Sequence, residues 1–195
     1  MKTPEIFKPT YKICISGAAE TGHCAPGAHE KAELLGREIA RRGYVLVTGA
    51  TTGIPYWAAK GAKMEGGTVI GFSPASSKLE HVKKYKLPLD YHDVIVYTGF
   101  EYGGRNLILV RSSDAVIVIC GRMGTLNEYT SAFEDHKPIG VLEGTGGAAD
   151  MLRGIIEEAH RGAGKTVFSS DPAELLDKIA SLVAKEEGEN HVNDA

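Results

Sequence analysis

The stretch AVIVICGRMGTLNEYTSAFEDH, residues 115–136, decides the fold. AVIVIC is a continuous, mostly β-branched apolar run, the signature of a strand covered on both faces. LNEYTSAFEDH reads as a helix, so GRMGT is a strand-to-helix turn. The helix start leaves N–H donors without intrahelical acceptors and carries the positive end of the helix dipole. Gly121 and Gly124 let the backbone approach an anion closely, and Thr125 adds a hydroxyl. A phosphate is the natural guest of such a turn.

The same alternation extends in both directions. Strands are expected at 11–16, 44–49, 68–73, 93–98, 115–120, 138–143 and 166–170. Helices are expected at 28–42, 54–65, 103–113, 125–135, 148–161 and 171–186. In the last of these, Asp171 before Pro172 is an N-cap followed by proline at the first helical position. Strand–helix alternation at this spacing predicts a single-domain α/β fold, a doubly wound, Rossmann-like, mostly parallel sheet of about seven strands with helices on both faces. One domain spans 1–195, with solvated tails at 1–10 and 187–195. Ligands of such sheets bind beyond the carboxyl ends of the strands, near the point where strand order reverses. The loops at 17–27, 49–53, 99–105, 121–125 and 144–147 all carry glycine and are the candidates.

Composition narrows the classes. A net charge of −3 gives no reason to expect a nucleic acid polymer or an acidic membrane as partner. No apolar run approaches the ~18 residues that span a bilayer. The N-terminal MKTPEIFKPTYK has no apolar h-region, so a cytoplasmic protein is expected. Cys14, Cys24 and Cys120 are few and widely spaced; they read as free thiols in a reducing compartment. The seven histidines show no metal spacing, and no Cys/His cluster is visible in the sequence, so no metal is expected. AHRGAGKT, 159–166, mimics a phosphate loop, but it follows a helix and opens a strand, the reverse of the working order. No GxGxxG follows the first strand, which disfavours a dinucleotide cofactor.

Two readings of Glu128 compete. Thr125 and Glu128 fit a T-x-x-E capping box, in which the glutamate only satisfies backbone amides. Alternatively the carboxylate faces a sugar beside the phosphate, where it can activate water or stabilise positive charge. In the preceding connection, GFEYGGRNLILVRSSD at 99–114, Arg105 and Asn106 follow two glycines beyond a strand's carboxyl end. A guanidinium there would hold phosphate or orient Glu128.

With these segments in view, the chain resembles the LOG-like family, also labelled lysine decarboxylase-like, over about residues 11–185. Its characterised members are cytokinin-activating phosphoribohydrolases, which release a base from a nucleoside 5′-monophosphate. Gly121, Gly124, Thr125 and Glu128 match the family loop PGGxGTxxE; Cys120 replaces its proline and Arg122 its second glycine. Arg105 matches the family's catalytic arginine within GGRN, and TGATTG at 48–53 stands where the family has GGGxxGLMG. The resemblance implies Arg105 and Glu128 as catalytic residues. It implies a substrate site of Ser16, Gly17, Gly49, Thr52, Gly53, Asn106, Gly121, Arg122, Met123, Gly124 and Thr125. It implies a nucleoside monophosphate or related phosphorylated small molecule as partner, a homo-oligomer, and no cofactor. A pyridoxal enzyme would need a Schiff-base lysine and a phosphate cup, and neither is legible. The alternative is a non-catalytic carrier or sensor of a nucleotide or phosphorylated cofactor. A purely structural protein is disfavoured, because so many glycine loops at one sheet edge cost chain entropy.

Overall fold

The computed structural model describes residues 10–193, with side chains to residue 186. Seven parallel strands form one sheet: β1 (Lys12–Gly17), β2 (Val45–Thr48), β3 (Val69–Ser73), β4 (Val94–Tyr97), β5 (Ala115–Ile119), β6 (Ile139–Leu142) and β7 (Thr166–Ser169). Their order is β4-β3-β2-β1-β5-β6-β7. The chain winds outward from β1 to one edge, then returns to the other side of β1 with β5. The strand order therefore reverses between β1 and β5, and Gly17 lies in register with Ile119 at that reversal. The doubly wound α/β fold expected from the sequence is the observed one.

The helices α1 (Ala28–Arg41), α2 (Ile54–Met64) and α7 (Pro172–Asn193) cover one face. The helices α4 (Glu101–Arg111), α5 (Met123–Glu134) and α6 (Gly147–Glu158) cover the other. In α1, Ala32, Leu35 and Ile39 fall on one stripe and are fully buried against the sheet. Burying a leucine of this kind contributes about 1.5–3 kcal/mol, and Leu35→Ala would cost about 2–5 kcal/mol through the cavity it leaves. All of β5 is buried, as its unbroken apolar run requires. No helix among the described residues is long and apolar enough to cross a membrane.

Four details differ from the sequence expectation. A short helix, α3 (Lys78–Lys83), was not expected. Its signal is the pair Ser77 and Glu80: the Ser77 hydroxyl accepts from Glu80 N–H at 3.2 Å, and Glu80 accepts from Ser76 N–H at 2.7 Å. The helices α4 and α5 each begin two residues early, at Glu101 and Met123. The helix α7 continues to Asn193, past the expected end at 186; residues 1–9 and 194–195 of the expected tails lie outside the described residues. Finally, Cys24 and Cys120 are not free thiols but form a disulfide across 96 residues. The loop after β1 and the end of β5 are neighbours at the strand-order reversal, which chain spacing conceals. The thiol argument for a reducing compartment holds only for Cys14, which is free and buried.

Candidate functional site

At the reversal between β1 and β5 lies a cavity of about 420 Å³. That volume falls in the range of small-molecule sites, ~300–1,000 Å³. Its walls come from the loops that follow β1, β2 and β5 and from the start of α4.

The turn after β5 is built by two residues of positive φ, Cys120 at 52° and Gly121 at 95°. A Cβ on Gly121 would collide with Thr125, so the turn tolerates only glycine there. The chain then enters α5 with Arg122 as N-cap, in extended conformation and with no side-chain cap. The first intrahelical bond is Leu126 N–H to Arg122 O at 3.0 Å. The N–H groups of Met123, Gly124 and Thr125 precede it and have no acceptor within the helix. Gly124 and Thr125 line the cavity, and the Thr125 hydroxyl makes no hydrogen bond among the described residues.

Because α5 starts at Met123, Glu128 sits a full turn inside the helix and is no capping residue. The capping-box alternative is thereby overturned. Glu128 is 7% exposed, lines the cavity, and accepts a hydrogen bond from the Ser16 hydroxyl at the end of β1. Burial pushes its carboxyl above the ordinary carboxylate value; the nearby Arg105 charge and the Ser16 hydroxyl pull it partly back.

Arg105 is 5% exposed on α4. Its Nη1 donates to the carbonyls of Gly49 and of Phe72, the latter at 3.0 Å, and its Nε donates to Asn106 Oδ1 at 3.1 Å. The guanidinium thus ties α4 to the ends of β2 and β3. Nη2 makes no hydrogen bond among the described residues. No ion pair joins Arg105 to Glu128 among the described residues, so they interact only through space. Asn106 extends the network to Asn127 Oδ1 at 3.0 Å. A Cβ on Gly49 would strike the guanidinium, so that glycine makes room for it.

The other expected residues divide. Gly17, Gly49, Asn106 and Arg122 line the cavity. Ser16 and Gly121 lie behind its wall, one holding Glu128 and the other shaping the turn. Thr52, Gly53 and Met123 are not on the wall. Thr52 is exposed and donates to Ala19 O at 3.1 Å; Met123 is exposed; Gly53, at φ 70°, allows the loop to pass against Ala18 and Ala19. Sequence reasoning missed Glu20, Thr51 and Tyr102. Glu20 pairs with Arg122 at 3.0 Å across the mouth, and the Tyr102 ring lies 5.7 Å from the Arg105 guanidinium. Nothing in the local sequence distinguishes Glu20 or Tyr102 from surface residues.

A family model described as LDcluster4, SLOG cluster4 family, matches residues 10–176. An uncharacterized protein of Archaeoglobus fulgidus is 33% identical over 132 residues, 68% of this chain and 82% of that one. The molybdenum cofactor binding protein of the phototrophic bacterium Rippkaea orientalis superposes with a TM-score of 0.73 at 28% identity, covering 90% of this chain and 98% of that one. The molybdenum cofactor carrier protein of Chlamydomonas reinhardtii superposes with a TM-score of 0.71 at 28% identity, covering 90% and 99%.

Proposed function

The chain belongs to the SLOG cluster4 family, a LOG-like Rossmann family as the 121–128 loop implied, and on that premise we propose that it hydrolyses the N-glycosidic bond of a nucleoside 5′-monophosphate. One observation carries the reading: a buried carboxylate and a buried guanidinium, Glu128 and Arg105, share one cavity with the open N-terminus of α5. The 5′-phosphate sits on the N–H groups of Gly124 and Thr125 and on the Thr125 hydroxyl. The ribose then reaches Glu128, one turn deeper. Ionised Glu128 stabilises oxocarbenium-like charge at C1′ and orients the attacking water. The water oxygen bonds to C1′, the C1′–N bond breaks, and its electron pair leaves with the base. The base takes a proton, and ribose 5-phosphate remains. Arg105 positions the site through Gly49 and Phe72 and offers Nη2 to the ligand.

The test is incubation with a panel of nucleoside 5′-monophosphates and quantitation of free base and ribose 5-phosphate. Turnover that drops about 10²-fold or more in Glu128→Gln supports the reading. A panel that yields no base defeats it.

A second reading, a carrier of a phosphorylated small molecule, is favoured by the carrier and binding proteins among the structural relatives and by Arg122 where the family loop has glycine. It predicts thermal stabilisation by a phosphorylated ligand without turnover. A homo-oligomer is likewise proposed from the family resemblance, with sedimentation velocity as its check.

A further inference from the structure

The donors His23 Nε2, Cys24 Sγ and Cys120 Sγ all lie within 4.8 Å of one another, beside the cavity but not on its wall. We propose that, once the Cys24–Cys120 disulfide is reduced, these three residues form a binding site for a thiophilic d10 cation of the Zn²⁺ class.

Backbone, not only sulfur, holds the donors together. Cys24 bridges Gly146, Ala25 N–H donates to Thr145 O at 2.9 Å, and Cys120 N–H donates to the Thr145 hydroxyl at 2.9 Å. Both cysteines are therefore pinned to the loop after β6, and opening the S–S bond leaves their sulfurs adjacent. The spacing of the third donor fits a shared metal. Tetrahedral Zn–S and Zn–N bonds of about 2.3 and 2.05 Å put sulfur and nitrogen about 3.6 Å apart. His23 Nε2 lies 3.6 Å from Cys120 Sγ. Two thiolates and an imidazole suit zinc-like ions and exclude Mg²⁺ and Ca²⁺, which take oxygen. His23 is exposed and Cys24 partly so, which gives the ion a way in and leaves a fourth position for water.

The exchange balances. A dithiol closes to its own disulfide, two electrons break the Cys24–Cys120 bond, and two protons pass to the sulfurs. The cation displaces both protons and forms two metal–sulfur bonds and one metal–nitrogen bond. His23 Nε2, now 3.2 Å from Gly121 O, turns its lone pair to the metal; Gly121 O keeps the Ala148 N–H at 2.9 Å. Disulfide and metal are alternative occupants of the same two sulfurs.

The experiment uses the full chain, reduced with a phosphine that is then removed without oxygen, and titrated with Zn²⁺ against a chromophoric chelator. Co²⁺ serves as the spectroscopic reporter. The reduced protein takes up one equivalent and shows thiolate-to-cobalt charge transfer; the oxidised protein does neither. Cys24→Ser removes the band, and His23→Gln, at an exposed position, weakens binding at least about tenfold. Any of three results overturns the proposal: no stoichiometric uptake by the reduced chain, binding unchanged in His23→Gln, or loss of the far-ultraviolet circular dichroism of the fold on reduction alone.

Discussion

The Ser16 hydroxyl donates a hydrogen bond to the Glu128 carboxylate across 112 residues of sequence. Parallel pairing of β1 with β5 places Ser16 opposite Val118, and α5 then carries Glu128 back over the end of β1. The bond favours the ionised carboxyl at a position where burial opposes it. In Ser16→Ala the carboxyl titrates higher still. The acid limb of the kcat/KM profile should move to higher pH, with about 1–3 kcal/mol of stability lost. A profile that overlays the wild type would contradict this role.

Glu128 also links stability to pH. Its folded-state value is raised above the ordinary 4.5. The folded state therefore holds its proton more tightly, and that contribution is full below the unfolded value and lost as pH rises through the folded one. Above it the fold buries a charge. Glu128→Gln removes that cost, so its melting temperature should match the wild type near pH 4 and exceed it near pH 7, each ~1 kcal/mol appearing as roughly 2–4 °C. Equal destabilisation at both pH values, measured by calorimetry, would refute the assignment. The same titration requires the acid limb of activity to lie above the ordinary carboxylate range.

Gly49 has no positive φ, so an alanine there suffers no backbone strain. Its Cβ would nonetheless collide with the Arg105 guanidinium. Gly49→Ala should therefore displace Arg105, costing about 1–3 kcal/mol and most of the turnover. Retained activity with unchanged stability would mean that the tie between Arg105 and Gly49 is dispensable.

Arg122 and Glu20 form an exposed pair at the mouth, worth no more than about 1 kcal/mol to stability. Their effect belongs to binding. Arg122→Gly should raise KM and weaken its salt dependence, while Glu20→Gln, which frees the arginine for phosphate, should lower KM. Melting temperatures should barely move. Shifts of KM in the same direction would show that the two do not compete for the ligand.

The sheet was legible because strands covered on both faces are mostly apolar, as all of β5 and the Ile13–Ile15 centre of β1 are. The alternation of elements implied a reversal of strand order, but not that it falls between β1 and β5; that order is seen only in the sheet itself. The capping box was misleading because Thr125 and Glu128 satisfy its spacing wherever the helix starts; only the start at Met123 separates the alternatives. Helix α3 escaped notice because six residues show no clear periodicity, although Ser77 and Glu80 carried its start signal. The Cys24–Cys120 pair left no local trace at all. A contact across 96 residues is created by sheet order, and spacing along the chain does not encode it. The neighbouring His23 was hidden for the same reason.

The central claim, that the N-terminus of α5 holds a phosphate with the sugar against Glu128, is tested most directly by a crystal structure of the protein with ribose 5-phosphate. Phosphate oxygens are expected within hydrogen-bonding distance of the Gly124 and Thr125 N–H groups, with C1′ facing Glu128. A phosphate bound elsewhere, or a sugar turned away from Glu128, would contradict it.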